Sequence, residues 1–121
     1  MRVHRDSRRT FWGDIFDTDF GDINVVALTP HVPIAWHRHE KQDDRLFLIG
    51  GRLRVQTIGP DGRAEHTLNP NGSRNLTIPA GIWHGYEALR RNTLVIQFNG
   101  PGKWDGSDEQ RQPIGDPPWD W

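Results

Sequence analysis

The sequence predicts an all-β domain that closes as a sandwich or barrel, and three observations carry the prediction. Between 13 Gly and 9 Pro, the apolar residues alternate or run in short stretches and do not repeat at helical spacing. The glycines and prolines cut the chain at the interval of short antiparallel strands joined by turns. A length of 121 residues suits one compact domain, residues 1–121, with no room for a second core. Strands are expected at Phe11–Phe16, Ile23–Leu28, Ile34–His39, Arg45–Ile49, Arg52–Ile58, Ala64–Leu68, Asn75–Ile78, Ile82–Glu87 and Thr93–Phe98. Turn chemistry separates them: Gly50-Gly51 admits positive φ, while Gly59-Pro60-Asp61-Gly62 and Asn69-Pro70-Asn71-Gly72 read as hairpin loops. Residues 100–121 are polar and Pro-rich, unsuited to a helix or a central strand. Because they end in Trp119-Asp120-Trp121, they are expected to pack as a tail along the barrel. The acidic run Asp105 to Glu109 reads as a solvated loop.

Composition excludes several functions. Lys and Arg number 15 against 16 Asp and Glu, for a net charge of -1, which removes a global attraction for nucleic acid. No run approaches the roughly 20 apolar residues of a membrane span. Met1-Arg2-Val3-His4-Arg5-Asp6 lacks the apolar core of a signal peptide, so a cytoplasmic protein without a membrane partner is expected. With no Cys, disulfides and thiolate sites are excluded, and any metal must be held by His, Asp or Glu. An apolar content of 34% is low for a small core and points to oligomerisation. The 6 Trp are expected to line a site or a subunit contact.

The candidate chemistry lies in the histidines. In Ile34-Ala35-Trp36-His37-Arg38-His39, strand alternation puts His37 and His39 on one face and Trp36 and Arg38 on the other. Asp43 and Gly50 complete H-x-H-x3-D-x6-G, and Pro79-Ala80-Gly81-Ile82-Trp83-His84 gives P-x-G-x2-H. A single histidine in a strand is ordinarily a satisfied polar residue; three at this spacing read as a functional set. Imidazoles and a carboxylate suit Fe, Mn, Ni, Zn or Cu, with His37, His39, Asp43 and His84 as the candidate ligands. For Asp43, a loop-capping carboxylate and a metal ligand are both open.

These two motifs, in this order and on β segments, resemble those of the cupin superfamily, whose fold is an antiparallel jelly-roll barrel. Asp43 departs from the glutamate usual there. Leu76-Thr77-Ile78-Pro79-Ala80-Gly81-Ile82-Trp83-His84-Gly85-Tyr86, the following Val95-Ile96-Gln97-Phe98 and the final Asp116-Pro117-Pro118-Trp119-Asp120-Trp121 are similar to segments of the dTDP-4-dehydrorhamnose 3,5-epimerase family. The resemblance spans about Pro33 to Trp121, and around Trp36 to Gln42 it is to a short epimerase-like branch. It implies a homodimer in which strands of residues 1–30 are exchanged, and a dTDP-sugar substrate in the barrel.

What the resemblance implies for chemistry is proton removal next to a sugar ketone by a His base and return of a proton by a Tyr, with a cation on the enolate. Carried over by position, His37 matches the base, His84 the second pocket histidine, and Arg45 lies near the cation. The family's Tyr falls near Trp104, which cannot donate an acid proton, so Tyr86, the only tyrosine, is the candidate substitute. Trp36, His39, Arg45, Trp83 and Gln97 are the candidate substrate contacts, and Arg5, Arg8 and Arg9 a candidate phosphate or partner cluster. Three classes remain: a nucleotide-sugar epimerase or isomerase needing no cofactor, a metal-dependent cupin oxygenase or isomerase of a small molecule, and a non-catalytic sugar-nucleotide binding module.

Overall fold

The computed structural model describes residues 1–121 and contains eleven strands and no helix: β1 Arg2–Arg5, β2 Arg9–Gly13, β3 Asp22–Leu28, β4 Ile34–His39, β5 Asp43–Gly50, β6 Leu53–Gly59, β7 Gly62–Leu68, β8 Asn75–Ile78, β9 Trp83–Ala88, β10 Thr93–Gly100 and β11 Glu109–Arg111. They form a six-stranded sheet in the order β1-β2-β3-β10-β5-β8 and a five-stranded sheet in the order β11-β4-β9-β6-β7, with every strand pairing antiparallel. The two sheets enclose the core as a jelly roll. No helix is long and apolar enough to cross a membrane.

The expected strands are present, with two additions and one shortening. β1 escapes the periodicity because Arg-Val-His-Arg has a single apolar residue and is exposed throughout. It is held instead by Asp6, whose Oδ1 accepts the Arg8 and Arg9 N–H groups at 2.8 and 3.2 Å. Its Oδ2 meets the side chains of Arg8 and His4 at 2.8 and 2.9 Å. β2 ends at Gly13, short of the expected Phe16, because Asp14 takes a left-handed φ of 54° and leaves Phe16 exposed. β11 adds to the open edge of β4. The acidic run before it is not simply solvated: Asp108 is buried, and its Oδ1 accepts the N–H groups of Glu40 and Lys41 at 2.9 and 3.0 Å.

Register sorts the interior into layers. Across β3, β10 and β5, the inward residues Val26, Val95 and Leu48 form one rung, and with Leu28, Ile34, Leu53, Val55 and Leu68 they fill one end of the barrel. Toward the other end the same strands carry Asn24 with Gln97, then Asp22, Asn99 and Asp44. Each strand is apolar over one half and polar over the other, and antiparallel pairing brings the polar halves to one mouth.

A bulge in β4 decides what faces that mouth. Pairing with β9 runs Ile34↔Tyr86 and Ala35↔Gly85, then slips to His37↔His84. The extra residue lets Ile34 and His37 both face inward while Trp36 faces out. Outside, Trp36 is covered by the tail: its Nε1–H donates to the Trp119 carbonyl at 2.8 Å, and its ring lies 5.4 Å from that of Trp121. Gly85 is required beneath this cover, since a Cβ there would stand 2.4 Å from Ala35 Cβ and 2.9 Å from Trp121 Cζ3. Gly51 is likewise fixed by the sharp β5–β6 turn, with φ of 83° and no room for a Cβ against Thr93.

Trp36→Ala is expected to lower stability by about 3–5 kcal/mol in denaturant titration, the cost of emptying a fully buried Trp site. Gly85→Ala is expected to lower the thermal midpoint and to raise the accessibility of the tail tryptophans to fluorescence quenchers. An unchanged midpoint in both variants would show that the tail does not clamp this sheet.

Candidate functional site

The polar mouth is a cavity of about 400 Å³, and its lining draws on both sheets and both ends of the chain. β4 and β9 supply His37, His39, His84 and Tyr86; β3, β5 and β10 supply Asp22, Asn24, Asp44, Gln97 and Asn99. The β1–β2 hairpin contributes Arg2, His4, Arg8, Arg9 and Phe11, and β11 contributes Glu109 and Arg111. A small apolar pouch of about 10 Å³ lies beneath, between Leu28, Leu46, Leu53, Val95 and Tyr86.

At the centre, Asp44 is 1% exposed. Its Oδ2 stands 2.5 Å from His84 Nε2, and its Oδ1 stands 3.6 Å from His39 Nε2. His84 is fixed from its other side, where Nδ1–H donates to the Ile82 carbonyl at 3.0 Å. Burial lowers the His84 pKa, but the Asp44 hydrogen bond and charge, with the Ile82 carbonyl, outweigh it and hold the group above its ordinary value. The donor atoms of His39, Asp44 and His84 lie within 4.8 Å of one another.

His37 stands apart from this cluster. Its ring is edge-on to His84 at 5.9 Å and to Tyr86 at 6.4 Å between centroids. Burial first, then the positive surroundings of His84, Arg111, Arg9 and His39, hold its pKa well below the ordinary histidine value. Tyr86 is buried, which raises its pKa and keeps the hydroxyl protonated, and Arg9 Nη1 donates to that hydroxyl at 3.4 Å.

The expected site residues divide accordingly. His37, His39, His84, Tyr86 and Gln97 line the cavity together. Asp43 does not: its Oδ1 accepts the Ala80 N–H at 2.9 Å and its Oδ2 lies 3.4 Å from Arg45 Nη2, so it caps the loop before β9, and the inward carboxylate is Asp44. Strand parity is the reason. Asp44, Leu46 and Leu48 share the buried face of β5, and Asp43, Arg45 and Phe47 share the other. That alternation is legible in the sequence and is the signal that identifies Asp44. Arg45 is exposed on the outer face, 5.8 Å over the Phe98 ring, and lies outside the cavity, whereas Arg9 lines it and reaches the Tyr86 hydroxyl. Trp36 and Trp83 also lie outside the cavity, where Trp83 packs on Trp119 at 5.1 Å and beneath Arg38 at 4.8 Å. Of the candidate phosphate cluster, Arg8 and Arg9 reach the cavity, while Arg5 is not among its lining. Trp104, where the resemblance places the acid, stands at the mouth under Arg2, whose guanidinium lies 4.7 Å from its ring.

No family model matches the chain. It is 28% identical over 130 residues to the spore coat polysaccharide biosynthesis protein SpsL of Bacillus subtilis (strain 168), covering 96% of this chain and 86% of that protein. Among solved structures it superposes on the capsular polysaccharide assembling protein CapF of Staphylococcus aureus with a TM-score of 0.80 at 18% identity, over 93% of this chain and 34% of CapF. The chain therefore spans about a third of CapF. A dTDP sugar isomerase of Desulfovibrio desulfuricans G20 gives a TM-score of 0.71 at 22% identity, over 93% of this chain and 73% of that one. These likenesses show the fold, the cupin-type antiparallel jelly roll that the two histidine motifs imply.

Asp44→Ala is expected to cost about 3–5 kcal/mol of stability, because it breaks a buried pair and leaves His84 Nε2 without its partner. Asp43→Ala, which removes a half-exposed cap, is expected to cost about 1 kcal/mol. Urea titration of the two variants checks the order, and equal losses would contradict the assignment of Asp44 as the inward carboxylate.

Proposed function

We propose that the chain is a cupin of the nucleotide-sugar epimerase or isomerase type, which removes a proton next to a sugar ketone and returns one to the enolate. One observation carries the reading: His37 enters the cavity as a half-buried imidazole outside the His39, Asp44 and His84 cluster, edge-on to the hydroxyl-bearing ring that Arg9 contacts. A neutral imidazole has a lone pair free to take a carbon-bound proton. The Tyr86 hydroxyl, kept protonated by burial, is the group able to return one. Arg9 supplies the cation for the developing oxyanion. Arg2, Arg8 and Arg111 around the mouth suit the phosphates of a nucleotide, since guanidinium groups bind phosphate oxygens in pairs. The names of SpsL, CapF and the dTDP sugar isomerase, all tied to sugars or polysaccharides, support the same substrate class.

The cluster favours a second reading, a metal-dependent enzyme. Two imidazoles and a carboxylate are a donor set for a divalent ion, and apart from those imidazoles neither oxygen of Asp44 has a partner. The Ile82 carbonyl on His84 Nδ1 is the outer contact that orients a ligating histidine. When bound there, an ion supplies Lewis acidity toward a ketone oxygen.

Incubation with dTDP-4-keto-6-deoxyglucose in deuterated water, followed by NMR, is expected to show exchange of hydrogen next to the ketone. His37→Asn is expected to slow it by about 10²–10⁴-fold, the usual contribution of a general base. Tyr86→Phe is expected to slow net epimerisation more than exchange. Chelation is expected to leave exchange intact; loss on chelation, restored by one divalent ion per chain, would transfer the site to the metal-dependent reading. Absence of both exchange and metal would leave a binding module.

The proposal includes a homodimer. β3 and β10 carry apolar residues on both faces, as in Ile23, Val25 and Ala27 and in Leu94, Ile96 and Phe98, a pattern of strands covered on both sides. Sedimentation at micromolar concentration is expected to give twice the chain mass of 14.0 kDa; a monomer would overturn this part.

A further inference from the structure

The cavity wall that faces the histidines is built of carboxamides, and no step above uses them. Asn24 on β3 and Gln97 and Asn99 on β10 point inward at 2%, 8% and 7% exposure and line the cavity. Asn99 sits in a rung between Asp22 and Asp44, and Gln97 sits between Asn24 and Leu46 one rung deeper. The Asp14 N–H donates to Asn24 Oδ1 at 2.9 Å, which turns Asn24 Nδ2 toward Gln97 Oε1, where it donates at 3.3 Å. With its oxygen so engaged, Gln97 has its amide nitrogen left to donate. Asn99 Oδ1 is buried with no partner in the protein. A buried amide oxygen without a partner is destabilising, and two rungs deeper the same strands carry Val26 and Val95. The carboxamides begin where the cavity begins, so packing does not account for them.

We propose that Asn24, Gln97 and Asn99 form a subsite that reads the hydroxyl groups of a pyranose ring, holding the ring against the histidines opposite. This rests on the nucleotide-sugar reading for the identity of the ligand. The chemistry matches: a hydroxyl donates one hydrogen bond and accepts others, and a carboxamide offers both functions in one head. An aliphatic wall would leave sugar hydroxyls unpaired, and a site built to pair them rejects a ligand that lacks them.

The test separates binding from chemistry by using dTDP-glucose, which has no ketone, beside dTDP alone. Calorimetric titration of the wild-type chain is expected to give at least about tenfold tighter binding of dTDP-glucose than of dTDP. Asn99→Leu and Gln97→Leu are expected to bring dTDP-glucose down to the affinity of dTDP without changing the latter. Arg111→Gln, at the phosphate rim, is expected to weaken both ligands together. Asn99→Leu is also expected to hold or raise the thermal midpoint, since it removes a partnerless buried oxygen at similar volume; a purely structural Asn99 predicts a fall. Equal affinity of the wild type for the two ligands, or a sugar increment that survives in Asn99→Leu, overturns the subsite. A sugar increment without hydrogen exchange on the 4-keto sugar leaves the subsite standing and removes the epimerase reading. Exchange without an increment does the reverse. No binding of dTDP removes both the arginine rim's role and this subsite.

Discussion

The site depends on one constraint: a carboxylate, Asp44, held at 1% exposure between two imidazoles. A charge placed there without partners would be expelled or neutralised, because burial penalises it far more than neighbouring amides compensate. His84 is the partner, its Nδ1 tied to the Ile82 carbonyl and its Nε2 on Asp44, and these contacts raise its pKa against the effect of burial. Burial, and then the neighbouring His84 across the β4–β9 pair, lower the pKa of His37. Two histidines one strand apart thus have their pKa values moved in opposite directions, because only one of them reaches the carboxylate.

Both ends of the chain serve this arrangement. The β1–β2 hairpin, closed by the hydrogen bonding of Asp6, brings arginines over a cavity to which β3, β4, β5, β9 and β10 supply none. β11 adds Glu109 and Arg111 from the opposite side and pairs with the strand that bears His37 and His39. Beyond it the tail crosses the outer face of the same sheet, where Arg63 donates to the carbonyls of Pro118 and Asp120 at 2.6 Å each. The indoles of Trp36, Trp83, Trp119 and Trp121 stack there against Arg38, Arg54 and Arg63. The aromatic wealth of the sequence is spent largely on this clasp, so the cavity is polar, and its only aromatic neighbours are Phe11, Tyr86 and Trp104 beside the histidines.

The polarity gradient along the strands explains why a small domain tolerates so many buried polar groups. At one end the rungs are Val, Leu and Ile and behave as an ordinary core. At the other, Asp22 is satisfied by the Trp104 N–H at 2.6 Å and Asn24 by Asp14 and Gln97, while Arg9 Nε, His39 Nδ1 and Asn99 Oδ1 have no partner and the oxygens of Asp44 have only the imidazoles. Unpaired groups gathered at one mouth are what a binding site retains at the expense of stability.

The sequence by itself determined the strands with strong alternation, the turns at Gly51 and Gly62, and the common face of His37 and His39, because period-two patterning and positive-φ glycines are local properties. It also contained the parity that separates Asp44 from Asp43, since the leucines of β5 mark its inner face. It did not reveal β1 and β11, whose polar residues form strands only because an edge is open beside them. Nor did it separate the tryptophans of the clasp from the residues of the cavity: that depends on the β4 bulge, which turns Trp36 outward while returning Ile34 and His37 to the interior. Which cation reaches the tyrosine was decided only by tertiary structure. Arg45 lies on the wrong face of its strand, and Arg9 arrives from a hairpin 77 residues away in sequence, a proximity that no local pattern encodes.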